Sequence, residues 1–186
     1  MEVALFGGSF DPPHVGHVFA VAYVLSTGFD RALVVPTLSH AFGKPLAPFE
    51  HRLAMTRIAM DEFRSAEVSN VEQFLGSPSR TLRTLKHLQQ AHPEYRLSLV
   101  VGADVYRDRE KWLGYDEIER LAPPFVLGRA GFEDERVPAP VLPDVSSTKV
   151  RELLAGTPGD RTGRPELGRT VPRGVLAYIE EHDLYR

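Results

Sequence analysis

His14 and His17 stand three residues apart at the end of the run Val3-Ala4-Leu5-Phe6-Gly7-Gly8-Ser9-Phe10-Asp11-Pro12-Pro13-His14-Val15-Gly16-His17. At that spacing two imidazoles share one face of a first helical turn. Set over a phosphate, they can donate hydrogen bonds to phosphoryl oxygens as negative charge builds, which is what phosphoryl and nucleotidyl transfer require. The residues before them suit an anion. Val3–Phe6 reads as a short buried strand bounded by glycine. Gly7 and Gly8 lack a Cβ, so the chain can turn sharply and a ligand can come close. Pro12 and Pro13 keep the next residues extended, and from His14 onward the pattern is helical, with Val15, Val18, Phe19, Ala22 and Leu25 as its apolar stripe. Free N–H groups and the positive end of the helix dipole then point at one place. Asp11 is read as a cap of the turn or as an aid in placing a metal. Two other readings of the histidines stay open: half of a metal site, or solvated side chains. No further ligand stands at metal-site spacing, and no metal-ligating set is singled out.

A second concentration of chemistry is Val145-Ser146-Ser147-Thr148-Lys149-Val150-Arg151. Its hydroxyls are suited to cap a helix running through Leu153-Leu154. Ser147, Thr148, free N–H groups and the Arg151 guanidinium, placed in the first turn, can converge on one anion. Gly102 and Asp104 follow the apolar run Tyr95–Val101. A glycine and a carboxylate at a strand's C-terminal end suit close backbone approach and ribose hydroxyl recognition, or a helix N-cap. Lys44 is the cation of the 37–48 loop able to reach phosphates; a solvated loop lysine is the other reading. Ser79 or Thr81 is placed as N-cap of a helix to about Ala91. Trp112, the sole tryptophan, is flat enough to stack on a heteroaromatic ring, or belongs to a satellite core.

These residues need elements to hold them. Ala32–Pro36 gives a second buried strand, so strand, helix and strand predict a parallel sheet with a right-handed crossover. In such sheets ligands bind beyond the strands' carboxyl ends, at the switch in strand order. Phe49–Phe63 reads as an amphipathic helix with Leu53, Met55, Ile58, Ala59 and Phe63 inward. Glu50 and Arg52 near its start are a surface pair or a ligand contact. Val68-Ser69 with Val71–Leu75 reads as an extended stretch, Phe125–Arg129 as a strand ending in a cation, and Val141-Leu142 as a short extended piece. The 131–143 segment is a surface excursion, the 156–168 segment a polar, glycine-rich loop, and Val171–Tyr185 a closing helix of structural role. The expected fold class is α/β: one doubly wound parallel-sheet, Rossmann-like domain over residues 1–186.

Composition narrows the class. The chain has 186 residues, 42% hydrophobic and 25% charged, enough for a sizeable core. With 22 Lys+Arg against 25 Asp+Glu the formal charge is -3, which disfavours a polyanion-binding protein. Cysteine is absent, so thiolate metal sites and disulfides are excluded. No apolar run has transmembrane length, and a cytoplasmic location is expected.

The Gly-Gly-Ser-Phe-Asp-Pro-Pro-His-x-Gly-His block resembles the signature of the nucleotidyltransferase superfamily with its His-x-Gly-His motif, and within it bacterial nicotinate-mononucleotide adenylyltransferases. Ser146-Ser147-Thr148…Arg151 and Gly102-x-Asp104 also resemble that family. So do Ser79-Arg80-Thr81 with Thr84-Leu85, where Arg80 replaces the usual aromatic. The Leu38–Lys44 loop departs from the family's Pro-Pro-His-Lys-like run, with His40 and Lys44 further apart. The resemblance implies transfer of AMP from ATP to nicotinate mononucleotide, yielding nicotinate adenine dinucleotide and pyrophosphate, with Mg²⁺. It implies His14, His17, Arg151 and Lys44 as catalytic residues. Gly7, Gly8, Ser9, Phe10, Gly102, Asp104, Ser147 and Thr148 would bind the nucleotide, and Ser79, Thr81 and Trp112 the pyridine substrate. The same chemistry on nicotinamide mononucleotide or another phosphorylated acceptor is an alternative, as is a non-catalytic nucleotide-binding protein. No nucleic acid or membrane partner is expected, and a homo-oligomer is left open.

Overall fold

The computed structural model describes residues 1–39, 43–129, 141–156 and 164–186. Its strands are β1 (Glu2–Gly8), β2 (Arg31–Pro36), β3 (Ala66–Val68), β4 (Arg96–Gly102), β5 (Pro124–Arg129) and β6 (Val141–Leu142). All pair in parallel, in the order β3-β2-β1-β4-β5-β6. The order reverses between β1 and β4, so their carboxyl ends, Gly7-Gly8 and Gly102, flank the switch-point crevice. Helices α1 (Val15–Ser26) and α2 (Phe49–Met60) follow β1 and β2; α3 (Val71–Leu75) and α4 (Thr81–Ala91) lead back across to β4. Then come α5 (Ala103–Tyr106), α6 (Tyr115–Leu121), α7 (Ser147–Leu154), α8 (Arg164–Thr170) and α9 (Arg173–Glu181).

Alternation along the strands divides the core between two faces. Val3, Leu5, Leu33 and Val35 pack with Leu85, Leu88 and Ile118 of α4 and α6. On the other face Ala4 packs with Ala20 and Val24 of α1, and Ala32 and Val34 pack with Met55, Val175 and Ile179 of α2 and α9. Both faces are covered, which is why these strands read as unbroken apolar runs rather than alternating ones.

The structure corrects several expectations. α1 buries Gly16, Ala20, Val21 and Val24, and leaves Phe19 exposed. Apolar residues ring this helix, so its pattern does not select a face. Ile58 of α2 is also exposed. Val71–Leu75 is a helix, not extended chain; Val71, Phe74 and Leu75 are spaced i, i+3, i+4, a helical period too short to dominate. The final part of the expected 156–168 loop belongs to α8. The excursion at 131–140, the loop at 157–163 and His40 lie outside the described residues.

Candidate active site

A cavity of about 500 Å³ opens at the switch point. Its wall includes His14 and His17, the β1 turn, Gly102 and Asp104, Lys44, Ser79 to Thr81, Trp112 and the start of α7 through Arg151. Every residue expected at the site, though drawn from well-separated stretches of chain, therefore lines one space.

The histidine pair is held by the helix start. His14 is the residue before α1, in extended conformation. Its backbone N–H donates to Nδ1 of His17 at 3.1 Å. A ring nitrogen that accepts a hydrogen bond carries no proton, so neutral His17 holds its proton on Nε2, where it is a donor. The two rings stack with centroids 3.8 Å apart. Phe10 supports His17 from below, ring to ring at 4.8 Å, and is itself 1% exposed. Phe10 sits at φ 48°, a strained setting for a side chain of that size. A Cβ on Gly8 would stand 3.1 Å from the Phe10 ring. A Cβ on Gly16 would stand 3.1 Å from both the His14 ring and Val145. At Gly8 and Gly16 a side chain would thus crowd the rings that build the site. Gly7, in contrast, borders open space on the cavity.

Arg52 brackets the same loops from behind. It is 1% exposed and donates to the carbonyls of Ala47, Ser9, Thr37 and Leu38 at 2.8–3.2 Å. Burial lowers its pKa, and the nearby Asp11 charge opposes that shift. It is neither the surface residue nor the ligand contact that its sequence position suggested. Its fork ties the turn after β1 to the loop after β2. A buried charge in a sequence otherwise reads as an error, and only the folded carbonyl cradle explains it.

Asp11 is 2% exposed, with its carboxylate fully engaged. Oδ1 accepts from Ala47 N–H at 3.2 Å and from the Tyr185 hydroxyl at 2.7 Å. Oδ2 lies 3.6 Å from Nη1 of Arg151. Asp11 therefore organises protein groups.

On α7 the cap is Ser146, whose Oγ accepts from Lys149 N–H at 3.2 Å. Ser147 Oγ donates to the Pro12 carbonyl at 2.9 Å, fastening α7 to the β1 turn. Arg151 stands in the second turn of α7, not the first. It donates to the Asp11 carbonyl and, at 3.2 Å, to Thr148 Oγ1. Lys44 Nζ reaches the same Thr148 hydroxyl at 3.4 Å and is otherwise exposed. Two cations thus meet at one hydroxyl beside the histidines, an arrangement suited to an anion with several oxygens.

The far end of the cavity is built differently. Neither Ser79 nor Thr81 caps α4; the N-cap is Arg80, with no side-chain cap bond. Ser79 instead clasps the loop after β2: Ser39 N–H donates to Ser79 Oγ at 3.1 Å, and Ser79 N–H donates to Ser39 Oγ at 3.3 Å. Thr81 and Arg80 are exposed on the cavity wall, at the amino end of α4. Trp112 is half-buried against the β1–β4 core and also lines the cavity. A Cβ on Gly102 would lie 2.5 Å from Asp104 Oδ1, so only glycine lets that carboxylate fold back over the strand end.

A model of the cytidylyltransferase-like family matches residues 5–153. A protein of Anaeromyxobacter sp. (strain K), named a probable nicotinate-nucleotide adenylyltransferase, is 44% identical over 190 residues, spanning 100% of this chain and 97% of its own. One of the same name from Thermus thermophilus is 36% identical, with 100% of both chains covered. Among solved structures, the Plasmodium falciparum nicotinic acid mononucleotide adenylyltransferase complexed with NaAD is similar, with a TM-score of 0.82 over 99% of this chain and 97% of that one. At 19% identity that likeness speaks for the fold.

Proposed function

The chain belongs to the nicotinate-nucleotide adenylyltransferases, within the cytidylyltransferase-like family, and from that membership we propose that it transfers AMP from ATP to nicotinate mononucleotide. The observation that carries the reading is the meeting of the two-histidine helix start with Arg151 and Lys44 on one cavity at the switch point. An oxygen of the mononucleotide 5′-phosphate forms a bond to the α-phosphorus of ATP. The bond from that phosphorus to the bridging oxygen breaks, and pyrophosphate leaves. No enzyme nucleophile is needed, so catalysis is positioning plus charge stabilisation.

His17 Nε2–H and His14 stabilise the α-phosphoryl oxygens. Arg151, Lys44 and Thr148 hold the β- and γ-phosphates, with Ser147 fixing the helix that carries them. The Gly7–Phe10 turn admits the nucleotide, and Gly102 and Asp104 take a ribose. Trp112 offers a face to the pyridine ring, and Ser79 holds the loop behind it. The amino end of α4, with Thr81 and the Arg80 cation, suits a carboxylate over a carboxamide. Among the described residues no cluster of three or more metal-ligating side chains converges. A divalent cation, which we take to be Mg²⁺, fits this site as one held by triphosphate oxygens and water, and it would neutralise charge on the leaving pyrophosphate. Residues 1–186 are read as one domain acting on small molecules; among the described residues no helix is long and apolar enough to cross a membrane.

The test is a paired assay with ATP and Mg²⁺, adding nicotinate or nicotinamide mononucleotide and following pyrophosphate and dinucleotide. Turnover with at least a roughly tenfold preference for nicotinate is expected, the discrimination of about 1.4 kcal/mol that one favourable charged contact supplies. Equal use of both would remove the carboxylate role of α4, and pyrophosphate release with neither would overturn the proposed reaction.

A further inference from the structure

We propose that Tyr185, beyond α9, is a positioning residue for the phosphate-binding arginine, acting through Asp11. This rests on the reading of Arg151 as a triphosphate ligand. Tyr185 and Asp11 are 174 residues apart in sequence, yet the phenol donates to Asp11 Oδ1 at 2.7 Å, inside a pocket where Asp11 is 2% exposed. Asp11 in turn meets Arg151 twice: its backbone carbonyl accepts from Nη1, and Oδ2 stands 3.6 Å from the same nitrogen. Arg151 then turns its second nitrogen to Thr148 on the cavity wall.

The geometry makes the phenol decisive. Asp11 Oδ1 has two donors, Tyr185 and the Ala47 amide, and the amide bond is the longer at 3.2 Å. Tyr185 therefore does most to keep the carboxylate turned so that Oδ2 stays at the edge of ion-pair range. A carboxylate released from the phenol would close on Arg151 and form a tight two-pronged pair, the arrangement such groups favour when free to reach it. That pair would compete with the triphosphate for the same guanidinium nitrogens. Burial and the bond to Asp11 both push the Tyr185 hydroxyl well above the usual phenol range, so it stays a donor. The Tyr185 ring itself also packs against the core of α2 and α9, which sets the phenol.

The experiment uses the full chain with Tyr185→Phe, Arg151→Ala and the double variant, alongside Leu184→Ala as a control that loosens the same tail and keeps the phenol. Steady-state kinetics are run with each substrate varied, and melting temperature is recorded. Tyr185→Phe is expected to raise KM for ATP about five- to twentyfold while KM for nicotinate mononucleotide moves less than about twofold. In the Arg151→Ala background the same change should add less than about twofold, because the arginine it acts through is gone. Leu184→Ala should lower the melting temperature and leave KM for ATP within about twofold. An unchanged KM for ATP in Tyr185→Phe, equal effects on both substrates, full additivity with Arg151→Ala, or an equal rise from Leu184→Ala would each overturn the proposal. If Arg151→Ala itself leaves KM for ATP unchanged, the phosphate reading of Arg151 falls and this proposal falls with it. If Arg151→Ala raises it and Tyr185→Phe does not, only the positioning role falls. Should Tyr185→Phe melt below assay temperature, calorimetric binding of ATP in the cold gives the same comparison.

Discussion

At the scale of single residues, the site turns on which nitrogen of His17 carries the proton. The His14 amide occupies Nδ1, so the neutral ring carries its proton on Nε2, and His17 lines the cavity. His17→Ala removes that donor, and with it the acceptor of the His14 amide and the ring on which His14 stacks. Loss of one donor aimed at developing charge costs about 10²–10³ in turnover. With the stacking partner of His14 lost as well, kcat should fall by several orders of magnitude. KM values and the circular dichroism spectrum should change little, because His17 packs at the cavity edge rather than in the core. Near-normal turnover in the folded variant would remove the histidine pair from the mechanism. Both histidines were legible in the sequence because their spacing is local. Arg52 and Tyr185 were not: the first bonds carbonyls from two loops, the second a carboxylate at the other end of the chain. No local pattern marks a side chain whose partners are assembled only by folding.

At the scale of elements, the junction of β1 with α1 must bring a helix start, a strand end and α7 within contact. Gly16 is where the three meet. Replacing it with alanine sets two terms against each other. Helix propensity favours alanine by up to about 1 kcal/mol. Overpacking costs about 1–3 kcal/mol, and here the new Cβ would be crowded from two sides, by the His14 ring and by Val145 of the α7 lead. Neither neighbour can retreat, since one is stacked on His17 and the other is 5% exposed. Gly16→Ala should therefore lose about 1 kcal/mol of stability in chemical denaturation and roughly tenfold or more in kcat, as the His14 ring is pushed aside. A variant that gains stability at unchanged kcat would show that this contact is not tight. The same junction shows what local pattern can and cannot deliver. Strands buried on both faces, such as Leu33–Val35, were readable as apolar runs, and with them the parallel sheet. The inward face of α1 was not, because a helix apolar on every side gives no phase. Ser79 was misplaced as a cap because a serine before a helix is suited to capping; tertiary contact with Ser39 took the hydroxyl instead.

At the scale of the whole molecule, the cavity draws on both halves of the sheet. The halves meet between β1 and β4, and β1 sends Val3 and Leu5 to the core on one face and Ala4 to the core on the other. A nucleotide bound as proposed would touch the β1 turn, the end of β4 and the start of α7 at once, so it should stabilise the two halves together. At about a hundred times its Kd a ligand adds about 2.7 kcal/mol. For a chain of 186 residues each kcal/mol raises Tm by about 2–4 °C, so saturating ATP should raise it by about 5–11 °C. The sole tryptophan, Trp112, reports from the cavity and the core of α4 and α6. Far-ultraviolet circular dichroism reports on all the helices, including α9 on the opposite face. The two probes should give one midpoint without ATP and one shared, higher midpoint with it. If ATP moves the tryptophan transition and leaves the helical one in place, the halves unfold separately. The sheet would then not couple the phosphate site to the tail that carries Tyr185. Coincident shifts would place that tail in the same cooperative unit as the ligand, as the path from Tyr185 through Asp11 to Arg151 requires.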